Sequence, residues 1–268
     1  MNIYDIAKEA GVSISTVSRV LNDKGYVSAK TKARIQEVLK RNKYQPSAIA
    51  RGLVSGTMKN VAIVTVDVRH PHYAMTTFIM EQKLTGLGYM VLVCNTGAKK
   101  EECMKYLRML SRNQVEGVIL VGSEFNELCD PDELSQLLPE TPIVMANGEL
   151  KLPSVQSILV DEGYGVQLAV QHLYDRGHRN ISFVMDTQKD AAVRKRNGFL
   201  MKMKQFGYDD AKERILYTGY GVEGGEQAAK QIVGDARRYD AAIFTEDLTA
   251  IYAMNTLQNM GYRIPEDI

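Results

Sequence analysis

The residues best placed to do chemistry lie close to the start of the chain. Ser15, Thr16, Ser18 and Arg19 fall on one side of a short helical stretch, and Ala7, Ala10, Val12 and Val17 supply small apolar residues for packing. A helix seated through small residues with a polar outer face can enter a DNA groove, and the Arg19 side chain is long enough to reach a guanine edge. The same spacing also fits a helical hairpin whose polar face is incidental.

Other candidate chemistry is weaker. The run Gly219-Tyr220-Gly221-Val222-Glu223-Gly224 has dinucleotide-binding spacing, with Glu246 further on, but it follows a strand late in the chain instead of opening a nucleotide domain. The four histidines (His70, His72, His172, His178) form no recognised metal-ligand pattern, and no Ser/His/Asp or Cys/His arrangement stands out. No metal, no cofactor and no enzyme activity are therefore expected. Cys94, Cys103 and Cys129 are odd in number and lack ligand spacing, which suits reduced, buried thiols.

The elements that must position these residues come in two rhythms. Residues 3–21 read as two short helices with a turn at Gly11-Val12-Ser13, where Gly11 can take positive φ and Ser13 can cap the second helix. A third helix, capped by Ser28, runs from Ala29 to Arg41, and Pro46 permits a further short helix over 47–54. From Val61 onward, buried-strand runs alternate with amphipathic helices, with strands at Val61–Val66, Met90–Cys94, Val118–Val121 and Ile143–Ala146. A second series opens at Ile158–Val160 and continues through Ile181–Met185, Ile215–Tyr217 and Ala242–Thr245. Such alternation implies parallel sheets covered on both faces, here two lobes with a ligand cleft between them.

Charge divides along the same line. Lys and Arg outnumber Asp and Glu by eleven to four in residues 1–60, and are outnumbered by twenty-eight to twenty-two in the remainder. A basic head on an acidic body implies that the head meets a polyanion. No apolar run reaches the ~18 residues of a membrane helix, and Met1-Asn2-Ile3-Tyr4-Asp5 lacks a signal-peptide pattern, so a cytoplasmic protein without a membrane partner is expected.

The run from Ile3 to Asn22 resembles the N-terminal signature of the LacI/GalR family of bacterial transcriptional regulators. The likeness continues through Val27 to Lys32 and Tyr44 to Leu53, and reaches Asp161, Gly177-His178, Gly198-Phe199 and Ile264 to Ile268. It implies an all-α helix-turn-helix domain over 1–56, with a hinge helix at about 47–54. Residues 57–268 would form an α/β effector domain of two Rossmann-like lobes, similar to periplasmic binding proteins. The implied protein is a homodimeric repressor that reads a palindromic operator on double-stranded DNA and responds to a sugar-like effector. A sugar-binding protein of the same body fold with no DNA role is the alternative.

Residue by residue, the resemblance places Ile14, Ser15 and Arg19 on bases. It places Tyr4, Thr16, Ser18, Asn22, Ser28 and Thr31 on phosphates, and Ala50 and Leu53 in the hinge, with Leu53 as an apolar wedge. The effector cleft would be lined by Asp67, His72, Tyr73 and Asn147, with Asp161, Lys195, Tyr220 and Asp247 from the second lobe. Two positions depart from the family: Lys195 stands where Arg is usual, and Glu246-Asp247 where Asn-Asp is usual. Ile268 falls where relatives begin another strand, so the second lobe is expected to be incomplete.

Overall fold

The computed structural model describes residues 2–23, 25–44 and 57–268. The expected hinge helix, with Ala50 and Leu53, lies outside these residues. In the head, α1 (Ile3–Ala10), α2 (Ile14–Leu21) and α3 (Ala29–Arg41) close on a core of Ile6, Ala7, Ala10, Val17, Ile35 and Val38. Each helix start is chemically marked. Asn2 and Asp5 form a reciprocal capping box at α1, Ser13 accepts the Thr16 amide at α2, and Ser28 accepts the Thr31 amide at α3. Gly11, at φ 61°, ends α1 in a left-handed turn that sends the chain directly into α2. Glu9 then ties α1 to the end of α3, pairing with Arg41 and accepting from the Asn42 amide at 3.0 Å.

The body begins with β1 (Asn60–Thr65), buried along its whole length. There follow α4 (Pro71–Gly86), β2 (Met90–Asn95), α5 (Lys100–Arg112), β3 (Gly117–Val121), α6 (Phe125–Leu128), α7 (Pro131–Leu137), β4 (Ile143–Ala146) and β5 (Val155–Ile158). These five strands form one parallel sheet in the order β2-β1-β3-β4-β5. Its core includes Ala62, Val64, Leu107, Leu120, Phe125 and Leu134. Cys103 and Cys129 are buried there with sulfurs 3.6 Å apart, and all three cysteines are free.

The sequence reading of β5 requires correction. Ile158–Val160 does not open the second lobe; the strand is Val155–Ile158, and it pairs with β4 through Ile143 and Val155 to complete the first sheet. It is an edge strand with only Val155 buried, so it lacks the continuous apolar run that marks its neighbours. Leu159 and Val160 follow as exposed crossover residues.

The second lobe comprises α8 (Glu162–Asp175), β6 (Ile181–Met185), α9 (Asp190–Gln205), β7 (Ile215–Tyr217), α10 (Gly221–Gly234), β8 (Ala241–Phe244) and α11 (Asp247–Asn259). Its parallel sheet runs β7-β6-β8. Phe183, Phe199 and Met203 pack one face with α8 and α9, and Val184, Leu216, Ala228 and Ile232 pack the other with α10 and α11. Here the glycine run finds its reason. A Cβ on Gly224 would stand 1.7 Å from the Gly219 carbonyl oxygen, and one on Gly225 would stand 2.4 Å from Tyr252 Cβ on α11. Close packing thus requires glycine at Gly224 within the run and at Gly225 beside it, which accounts for Gly224 without a dinucleotide.

A candidate DNA-reading face and a cleft between two lobes

On the head, the residues with proposed DNA roles divide by exposure. Tyr4, Ile14, Ser15, Arg19 and Ser28 are exposed, while Thr16, Ser18, Asn22 and Thr31 are half-buried. Val17, the buried residue of α2, anchors that helix and turns Ser15 and Arg19 outward. Several hydroxyls also serve the scaffold. Ser13 Oγ lies 2.8 Å from both Ser15 Oγ and Thr16 Oγ1, and the Ser28 hydroxyl donates to Thr31 Oγ1 at 2.9 Å. The Asn22 amide donates to the Ser18 carbonyl at 2.9 Å, closing the end of α2.

In the body, strand C-termini from both lobes surround a cavity of about 630 Å³. That size suits a small-molecule site. Of the expected cleft residues, Asp67, Asn147, Tyr220 and Asp247 line it from just after strands, His72 and Tyr73 from the start of α4, and Lys195 from within α9. Asp161 is the exception. Its carboxylate accepts the Tyr164 amide at 2.8 Å and caps α8, so it does not line the cavity. The next residue, Glu162, faces the cleft instead, accepting from the Asn147 amide at 2.8 Å and from Arg194 at 2.6 Å. Consecutive residues at a helix start point in different directions, and one of the two must cap.

Sequence reasoning also missed His70, Glu124, Asp186 and Lys189, all of which line the cavity. His70 lies between two tyrosines, 5.2 Å from the Tyr73 ring and 5.6 Å from the Tyr220 ring of the opposite lobe. Asp186 directly follows β6 and accepts the Thr245 and Thr249 hydroxyls, both at 2.6 Å. Its position after a correctly placed strand could have identified it. Glu124 accepts the Tyr73 hydroxyl at 2.8 Å and pairs across the cleft with Lys189 at 2.9 Å.

Electrostatics follow from these partners. Hydrogen bonds from the Arg69 side chain and backbone bring the Asp67 carboxyl down to about 2. Burial, then the negative charge of Glu124, pushes the Tyr73 phenol well up. Burial also raises Glu246, against the opposing pull of Lys195. Among the described residues, no group of three or more His, Cys, Asp or Glu is arranged to hold a metal ion.

The family descriptions that match are "Bacterial regulatory proteins, lacI family" over residues 2–47 and "Periplasmic binding proteins and sugar binding domain of LacI family" over residues 58–268. The chain belongs to the lacI family. An HTH-type transcriptional regulator of Lachnoclostridium phytofermentans is 31% identical over 270 residues, covering 100% of this chain and 81% of the relative. An HTH-type transcriptional repressor PurR of Mannheimia succiniciproducens is 29% identical, covering 99% and 79%. The crystal structure of the Lac repressor dimer, bound to operator and the anti-inducer ONPF, shares the fold at a TM-score of 0.82 and 22% identity, covering 100% of this chain and 80% of that one. This lacI-family protein is accordingly a DNA-binding transcriptional regulator with a helix-turn-helix head and a periplasmic-binding-protein-like body. Among its described residues no helix is long and apolar enough to cross a membrane.

Proposed function

We propose that this lacI-family regulator acts as a cytoplasmic homodimeric repressor, reading a palindromic operator with α2 and altering its grip when a hydroxylated small molecule enters the cleft. The observation that carries this reading is the pairing, on one chain, of an open Ser15/Arg19 face with a two-lobed cavity lined by carboxylates, an amide and aromatic rings. Arg19, Ser15 and Ile14 take the bases. Tyr4, Thr16, Ser18, Asn22, Ser28 and Thr31 hold phosphates, the half-buried ones through the atoms left free by their caps. Residues 1–56 form the DNA-binding unit and 57–268 the effector unit, with Ala50 and Leu53 entering the minor groove from the hinge.

Dimerisation is supported by an apolar face on the first lobe. Met75, Phe78 and Ile79 on α4, with Met90 and Val93 on the edge strand β2, are all exposed. Exposed apolar residues grouped on a helix and an edge strand suit a self-complementary contact. The cleft reading follows the family description of a sugar-binding domain, since carboxylates accept hydroxyl hydrogen bonds and rings cover sugar faces. The test is operator retardation by the full chain in the presence of fractionated cytosolic metabolites. Release of the operator by one fraction, lost in Asp67→Ala and Tyr220→Ala, is expected; a response unchanged in both variants would place the effector elsewhere.

A further inference from the structure

The cavity carries more carboxylate than the chain neutralises. Three of its lining acids have cationic partners: Asp67 with Arg69 at 2.8 Å, Glu124 with Lys189 at 2.9 Å and Glu162 with Arg194 at 2.6 Å. Three others, Asp186, Glu246 and Asp247, all on the second-lobe wall, make no ion pair with a Lys or Arg among the described residues, although Lys195 attracts Glu246 from nearby. Asp186 is satisfied by the Thr245 and Thr249 hydroxyls, which complete its hydrogen bonds without cancelling its charge. Glu246 feels the attraction of Lys195 first, faces His70 at 3.7 Å and has His72 nearby, imidazoles that carry charge only when protonated. Asp247 is exposed at the mouth of the same cavity.

Against these three stands a single lining ammonium outside an ion pair, Lys195, and its Nζ donates to the Thr245 carbonyl at 2.8 Å. Half-buried Asp186 and Glu246, with exposed Asp247 beside them, give the wall an excess of negative charge that attracts a ligand of opposite charge. The wall also includes the ring that a cation favours. Tyr220 is about half exposed, lines the same cavity and stacks on His70. Burial, and then the negative charge of Glu246, Asp186 and Asp67, raises its phenol, as expected for a ring set among these carboxylates. A phenol face and several carboxylates together recognise an ammonium, through cation–π attraction and charge-assisted hydrogen bonds.

We infer that the effector is cationic: an amine-bearing, hydroxylated molecule of sugar size, its ammonium seated between the Tyr220 ring and the carboxylates of Asp186, Glu246 and Asp247. This rests on the cleft being the effector site and adds the charge of its ligand. It also gives Glu246 a purpose, since an amide at that position would remove one of the three charges.

The test uses the full chain and matched pairs in which only the charge changes: D-glucosamine against D-glucose and N-acetyl-D-glucosamine, and D-galactosamine against D-galactose. Calorimetric titration at pH 7 is expected to show the amine of at least one pair binding about tenfold tighter than its neutral partners. The preference should shrink at high salt and largely vanish in Glu246→Gln or Asp247→Asn, whose near-isosteric changes spare the cavity shape. Neutral partners binding as tightly as the amines, with binding lost in Tyr220→Ala, would overturn the charge inference and leave the cleft as effector site. Binding by no amine would also overturn it. An amine preference unchanged in Glu246→Gln, Asp247→Asn and Tyr220→Ala would overturn the cleft assignment as well.

Discussion

The Lys189 ammonium lies 2.9 Å from the Glu124 carboxylate, an ion pair that joins the two lobes across one end of the cleft. Beside it, the Asn126 amide donates to Asp190 at 3.1 Å, so the start of α9 is fastened to the start of α6 at two points. Burial pushes the Glu124 carboxyl up, but hydrogen bonds from Lys189, its own backbone amide and Tyr73 outweigh that and hold it below the ordinary glutamate value. A carboxyl depressed in the folded state stabilises the fold above its unfolded pKa, and that contribution is lost as the pH falls through the folded pKa. Glu124→Gln should therefore lose less Tm than the parent chain as pH is lowered from the ordinary glutamate value of about 4.3 through the lower folded value, the two profiles running parallel above about 4.3. Tm profiles parallel over the whole range would show that the ion pair contributes nothing.

Arg19→Ala should weaken binding to the specific operator by about 1–3 kcal/mol and relax base preference at one position in each half-site. Affinity for random duplex should change much less. Equal losses on both, measured by fluorescence anisotropy, would make Arg19 a phosphate contact.

Gly198→Ala should destabilise the second lobe. An added Cβ would stand 2.1 Å from the Gly163 carbonyl oxygen and 2.8 Å from its Cα, so α8 and α9 would have to separate. Overpacking of this kind costs roughly 1–3 kcal/mol. Thermal unfolding checks it, and an unchanged Tm would mean that the helix pair yields freely.

Phe78→Asp, placed on the exposed apolar residues of α4, should convert a dimer into folded monomers, with the far-UV circular dichroism spectrum retained and Tm no longer dependent on protein concentration. Sedimentation of parent and variant decides this. A parent dimer that persists in the variant would move the interface off α4 and β2.

The parts of this fold that were legible in the sequence share a physical cause. β6 and β7 are short apolar runs, with β6 wholly buried, and their bounds could be read directly. The caps at Ser13 and Ser28 were legible because a hydroxyl residue before an apolar-periodic stretch has few other uses. β5 was not, because only Val155 is buried and the polar Gln156 and Ser157 hide the strand. In the cleft, residues beside recognisable strand ends were found, among them Asp67, Asn147 and Tyr220. Glu162 was missed by one position, since the sequence cannot say which of two adjacent acids caps α8 and which faces inward. Glu124 and Lys189 became visible only when the lobes met, their pairing spanning sixty-five residues.

The central claim is that the head reads a DNA sequence, and one measurement tests it most directly. A duplex enriched from a random pool by the full chain should be palindromic. At 150 mM salt it should bind about 10³-fold or more tighter than a scrambled duplex, with log affinity falling by about 0.9 per phosphate contacted for each unit of log salt. Failure to enrich any sequence, or equal affinity for enriched and scrambled duplexes with a slope near zero, would contradict the account.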